Sequence, residues 1–302
     1  MRFPAAFIDT PATLLQSIDE AGSDAGISLL TALVPALAIG AIVVLVRKRL
    51  WKCPGKPMGR LPVLAGAGAM TMVLALLIGT GAAGMAMSLG LEDADYARLT
   101  AGVASNAVQA ALVLFFIHSS LCLESSTPAV RPTRAIAAGI AGFLLAAPIV
   151  AAVGMGIGAA QEALGAPRPP SNSHETLRIL IERRETLFTL LTLTHVAVLV
   201  PLAEESLWRG LLQPSLRRAG MGGLSSVVVT ALLFTGIHWS MIPADGRFAA
   251  LAMLGTLALV LGILRERTGG TLAPIVLHGL FNAANVAIAV ASAAEVPVSS
   301  PP

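Results

Sequence analysis

Charge is scarce in this chain. Asp, Glu, Lys and Arg make up 12% of its 302 residues, about half the share in a typical soluble domain. That excludes an ordinary water-soluble globule. Cysteine is scarcer still: Cys53 and Cys122 are the only two. Each sits just past an apolar block with basic residues nearby, so neither a disulfide framework nor a CxxC metal site is available. The net charge of +3 is too small to argue for a nucleic-acid partner, and none is expected. The N-terminus lacks a leader pattern. Arg2 is followed by Asp9, Asp19, Glu20 and Asp24, and no apolar core precedes Ile27. Three protease signatures are missing as well: HExxH, the serine motif GxSG and the aspartate motif GxGD. His174-Glu175 continues as Thr-Leu-Arg and does not supply the first. There is no internal repeat, and the only low-complexity stretch is a short Pro/Ser tail.

What the chain has instead is apolar sequence in long blocks. It is 55% hydrophobic with a mean hydropathy of +0.79, and several blocks exceed the roughly 20 residues that cross a bilayer. Eight are legible, at about Ile27–Val46, Pro62–Leu89, Thr100–Leu121, Ala135–Ala160, Leu187 into a Glu-Glu pair, Gly223–Ser240, Phe248–Leu264 and Thr271–Val290. The fold class is all-α, a polytopic transmembrane bundle of about eight spans. The stretch from Arg47 to Arg60 holds six basic residues and no acidic one, which assigns it to the cytoplasm. Alternating from there, Arg131, Arg134, Arg209, Arg217, Arg218, Arg265 and Arg267 also fall on the inner side. The outer loop of about Gln161–Thr186 carries a mixed-charge stretch, His174–Glu185, read as a solvated or interfacial helix.

Three stretches near the end interrupt the apolar pattern: Glu204-Glu205-Ser206-Leu207-Trp208-Arg209, Phe234-Thr235-Gly236-Ile237-His238 and His278-Gly279-Leu280-Phe281-Asn282. Ionisable groups are costly in hydrocarbon and mark a partner or a task. Glu205 and Arg209 are four apart, share a helix face and can pair. Phe234 and His238 share a face in the same way, as do His278 and Asn282. Glu204 is turned about 100° from Glu205 and is left to face the histidines. If the fifth helix runs on to about Leu216, Glu204 lies about 18 Å from that end, His238 about 22 Å into the next helix, and His278 and Asn282 about 10 and 16 Å into the last. All four can then meet at one depth. A carboxylate partly withdrawn from water is a stronger general base near neutral pH. Two imidazoles can hold a water or polarise a carbonyl, and a carboxamide can support an oxyanion. Glu204, His238 and His278 are also a plausible zinc shell. Both a zinc-assisted and a metal-free hydrolysis stay open. A transporter could use such a cluster as an ion site, but no inverted repeat or pair of broken helices supports one. His195 and His118 read as packing or interhelical hydrogen-bond residues, and Asn106 and Gln109 as links between helices.

In order, these motifs resemble the CPBP family of intramembrane proteases (Abi-like), which includes type II CAAX prenyl proteases and bacteriocin-processing and immunity proteins. The family pattern EExxxR, FxxxH, HxxxN is met by Glu204, Glu205 and Arg209, by Phe234 and His238, and by His278 and Asn282. Trp208 stands where the family commonly has Phe. The resemblance implies an intramembrane endopeptidase with Glu204 as general base and His238, His278 and Asn282 around the water. Glu205, Arg209 and Phe234 would be supporting residues. It also implies a site open to the cytoplasm, a peptide or membrane-protein substrate, and surrounding lipid. It leaves zinc undecided, and it includes a non-proteolytic immunity or scaffold role. The expected organisation is a four-helix region with its outer loop at 1–185, a catalytic core at 186–292 and a disordered tail at 293–302. The expected location is a bacterial plasma membrane.

Overall fold

The computed structural model describes residues 24–53, 62–119, 129–165, 179, 183, 185–242 and 244–295. Among these, eight long helices and no strands are present. They are α1 (Asp24–Arg47), α2 (Pro62–Met87), α3 (Ala94–Ser119), α4 (Pro132–Ala163), α5 (Thr186–Arg218), α6 (Gly223–Ile237), α7 (Arg247–Thr268) and α8 (Leu272–Glu295). Five of them are long and apolar enough to cross a membrane: α2, α3, α4, α5 and α7. The apolar described parts of the other three, Ala32–Arg47, Gly223–Ile237 and Leu272–Ile288, are shorter. Large apolar side chains such as Leu77, Met85, Leu144 and Leu232 point outward over most of their surface, as they must when the solvent is lipid.

Helix ends explain where the observed boundaries depart from the apolar blocks. Helix α3 begins at Ala94 rather than Thr100, because Asp93 Oδ1 accepts the backbone N–H of Asp95 (2.9 Å) and of Tyr96 (3.1 Å). That is an N-cap, which satisfies otherwise orphaned donors. Helix α4 starts on Pro132, whose missing N–H costs nothing in the first turn. Helix α7 stops at Gly269, which adopts a left-handed conformation (φ +70°) and closes onto Arg265 O at 3.0 Å. Helix α6 ends at Ile237, short of Ser240, so His238 is its C-terminal cap rather than an interior residue.

Helix α5 is the centre of the bundle. It packs on α2 and α3 on one side and on α6, α7 and α8 on the other, while α4 lies behind α7 and α8 and carries α1. One core cluster joins Met72 and Ala75 of α2, Val113 of α3, Leu207, Trp208 and Leu211 of α5, Phe234 of α6, and Leu254 and Ala258 of α7. A second joins Val150 of α4 to Leu257 and Leu261 of α7 and to Leu277 and Phe281 of α8. With 33 residues, α5 is about 50 Å long, more than the roughly 30 Å of bilayer hydrocarbon, so it must tilt or protrude.

The charges collect at the two ends of the bundle. One end holds Arg217, Arg218, Arg265, Glu266 and Arg267, where Arg267 Nη1 reaches the carbonyls of Arg49 (3.4 Å) and Lys52 (3.3 Å). At the other end Arg183 binds Asp93 (2.7 Å), Asp95 (3.2 Å) and Glu185 (3.0 Å), and its guanidinium lies over the Tyr96 and Phe188 rings. Of the stretch expected as a solvated helix, only Ile179, Arg183 and Glu185 are among the described residues. There Arg183 is a clasp onto α3. It holds the Asp93 carboxyl below its usual value, and Glu185 is held low first by the Tyr96 hydroxyl and then by Arg183.

Candidate active site

The first motif lies on α5 between two irregular turns. At His195–Leu199 and at Ser206–Leu212 the helix widens to π turns, a feature often found at functional sites. Val200 N–H bonds His195 O and Gln213 N–H bonds Trp208 O, five residues back in each case. Glu204 and Glu205 occupy the short α-helical stretch between the two turns.

Glu205 is fully buried, and its Oε1 accepts two bonds, from Arg209 Nη1 (2.9 Å) and from His278 Nδ1 (2.9 Å). The pairing with Arg209 expected from spacing is therefore present, and the carboxylate also reaches the third motif. Arg209, equally buried, sends Nη2 to Ala258 O at 3.2 Å. Its guanidinium sits 4.7 Å from the centre of the Phe234 ring. Phe234 in turn meets Trp208 edge-on at 5.4 Å and tilts against His238 at 4.9 Å. Phe234 thus touches both Arg209 and His238, the former through a cation–π contact worth about 2 kcal/mol when desolvated. The Trp208 departure from the family pattern falls on this packing contact.

The hydrogen bonds place a hydrogen on Nδ1 of both imidazoles. His238 Nδ1 lies 2.7 Å from Phe234 O. A carbonyl can only accept, so the hydrogen is on Nδ1 and Nε2 carries the lone pair. The same logic on the Glu205 carboxylate places a hydrogen on His278 Nδ1 and leaves Nε2 for a second contact. That Nε2 faces Glu204 Oε2 at 4.0 Å, and both atoms are buried without a hydrogen-bond partner in the protein. Glu204 retains 12% of its side-chain surface, whereas Glu205 retains none, so Glu204 is the more accessible of the two carboxylates. His238 is within electrostatic reach of His278 and Arg209. The turn that follows His238 is closed by Met241 N–H on His238 O (3.0 Å) and by Arg247 on Ile242 O (3.0 and 3.1 Å).

Asn282 donates from Nδ2 to Val196 O at 2.8 Å, and its Oδ1 is buried without a partner. This bond has a cause in the chain. In the five-residue register of the first π turn, the next donor would serve Val196 O, but that donor is residue 201, a proline with no N–H. Asn282 supplies it from α8. Alongside, Gly279 passes so close to Ala197 O that a Cβ there would collide with backbone. His278 and Asn282 are therefore set by α8 pressing on the first π turn. His195 opens the same turn and bonds Asn106 of α3 at 3.1 Å, the linking role expected of both. Gln109 bonds Ser105 within α3 (3.3 Å), and the side chain of His118 lies outside the described residues.

Six of the seven motif residues are thus linked by direct approaches, from His238 through Phe234, Arg209, Glu205 and His278 to Glu204, while Asn282 lies one turn beyond His278 on α8 and bonds the first π turn. Among the described residues, no three His, Cys, Asp or Glu side chains converge closely enough to hold a metal ion. Zinc would need donors about 2.0–2.2 Å from one point, and the set found here does not fit it as placed. The sequence reading missed Gln213, Arg217 and Glu266. Gln213 donates to Gly262 O (3.1 Å) and to Glu266 Oε1 (2.9 Å), and Arg217 Nε lies 3.5 Å from Glu266 Oε2. The signal for them was Glu205, Arg209, Gln213 and Arg217 recurring every fourth residue along one helix.

The motif residues thus sit on α5, at the end of α6 and on α8 of a helical bundle with five helices long and apolar enough to cross a membrane. Residues 186–284 match the family model for the type II CAAX prenyl endopeptidase, Rce1-like. The match covers about a third of the chain, runs from the start of α5 into α8, and includes every residue of the cluster. Residues 186–284 are thus similar to the Rce1-like family. No curated protein and no solved structure matches it.

Proposed function

We propose that this chain is an intramembrane endopeptidase of the CAAX-processing kind, using water activated by Glu204 without a metal. The carrying observation is the facing pair Glu204 Oε2 and His278 Nε2, buried, unpartnered and 4.0 Å apart. Two hydrogen bonds of about 2.8 Å from one water close a triangle on that base. The water donates one hydrogen to Glu204 and the other to His278 Nε2. Glu204 takes the first proton as the water oxygen attacks the scissile carbonyl carbon. It returns that proton to the departing amine nitrogen as the C–N bond breaks. Glu205 orients His278 through Nδ1. The uncommitted N–H of Asn282 is the donor for the developing oxyanion.

The family match supports the substrate class: a protein or peptide tail held at the membrane by a prenyl group. The basic end of the bundle supports a cytosolic opening, since Lys and Arg are enriched on the cytoplasmic side. The test uses purified protein in liposomes with a fluorescence-quenched peptide ending in a prenylated cysteine and three further residues. Cleavage after that cysteine, absent for the unprenylated peptide, is expected, with less than 0.1 zinc per chain by mass spectrometry. Failure to cleave either peptide would overturn the enzyme reading. About one zinc per chain, lost with His238→Ala and His278→Ala together, would overturn the metal-free part.

A further inference from the structure

The second π turn repeats the logic of the first. Gln213 N–H bonds Trp208 O, five residues back. The next donor in that register would serve Arg209 O, but it belongs to residue 214, again a proline. The stranded carbonyl is taken from outside the helix once more: Arg265 Nε of α7 donates to Arg209 O at 3.0 Å. Pro201 and Pro214 thus each open a π turn, and a side chain from a different helix closes each one, Asn282 at the first and Arg265 at the second. The Glu204–Glu205 pair lies between the two closures.

We infer that Arg265 is a positioning residue for the active site, the counterpart of Asn282 on the other side of the Glu pair. A π turn accommodates one residue more than an α turn. If the second turn relaxed to α geometry, everything upstream would roll by about 100°. Downstream, Gln213 and Arg217 are tied to α7 through Gly262 O and Glu266, so the roll would be taken up by Glu204 and Glu205. Glu204 would leave His278 Nε2, and Glu205 would leave His278 Nδ1. Arg265 holds this register without touching substrate.

The inference rests on the peptidase reading for its kinetic arm, and a second arm needs no activity. Arg265→Met removes the donor and keeps most of the bulk; Arg265→Lys keeps charge and a donor. Pro214→Ala returns an N–H to the helix, which can serve Arg209 O from within. Each variant is assayed on the quenched prenylated peptide and by amide hydrogen exchange over residues 206–213. Arg265→Met is expected to lower kcat tenfold or more with KM within twofold, and to speed exchange in that segment. Arg265→Lys recovers both. In the Pro214→Ala background, Arg265→Met costs less than threefold in kcat. An Arg265→Met enzyme with unchanged kcat and exchange overturns the inference, as does an equal loss in both backgrounds. Should wild type cleave nothing while the exchange changes appear as described, the peptidase reading fails and the closure of the π turn stands.

Discussion

Glu205→Gln is the substitution whose cost the structure specifies most fully. Glu205 Oε1 is the shared acceptor of Arg209 and His278, and all three side chains have no exposed surface. Replacing the carboxylate by an amide keeps the shape and strands the Arg209 cation in an apolar core. Breaking a buried pair from one side costs about 3–5 kcal/mol. The remaining bond of Arg209 to Ala258 O and its contact with Phe234 stay in place, so the lower end of that range applies, about 3 kcal/mol. At about 3 °C per kcal/mol for a chain of this order, the melting temperature in detergent falls by about 10 °C. Glu205→Gln combined with Arg209→Met removes the stranded charge and recovers at least half of that loss. An unchanged melting temperature in the single variant would refute the reasoning. So would a double variant whose loss equals the sum of the two singles, since coupled partners do not add.

Gly279→Ala forces a methyl into Ala197 O. It should cost about 1–3 kcal/mol and lower kcat by displacing His278, read by thermal melts beside peptide cleavage; an unaffected kcat would mean that α8 does not set the histidine. At the acidic end, Asp93 and Glu185 have ordinary values of 3.8 and 4.5 and are held below them in the folded protein. Their contribution to stability is present above those ordinary values and is lost as pH falls through the lowered ones. The melting temperature should therefore be flat above about pH 5 and drop below pH 4, with a shallower drop in Arg183→Gln. An equally steep acid limb in that variant would remove the clasp from the account.

The sequence made the helices and the site legible for different reasons. Apolar blocks mark spans because lipid leaves the backbone few options, and all eight reappear as helices. Their ends were harder to see. Asp93 moved the start of α3 six residues upstream by capping, and α6 stopped at His238, a local choice that hydropathy does not register. The seven motif residues could be paired by four-residue spacing, and Glu205–Arg209 and Phe234–His238 meet as spacing requires. Spacing within one helix cannot show contacts between helices, so the bond from Glu205 to His278 and the rail from Gln213 to Glu266 were not visible. The π turns were hidden for a related reason. Pro201 and Pro214 mark a disturbed helix, but only the neighbouring donors, Asn282 and Arg265, decide that it widens rather than breaks.

The central claim is that Glu204 activates the hydrolytic water opposite His278. Its most direct test is the kcat of Glu204→Gln on the prenylated peptide in liposomes, with the melting temperature measured on the same preparation. Glu204 has no hydrogen-bonded partner at Oε2, so the amide should leave the fold intact. The account predicts an unchanged melting temperature and a loss of kcat of about 10²–10⁴-fold or more. A folded Glu204→Gln protein that cleaves the peptide at the wild-type rate would contradict it.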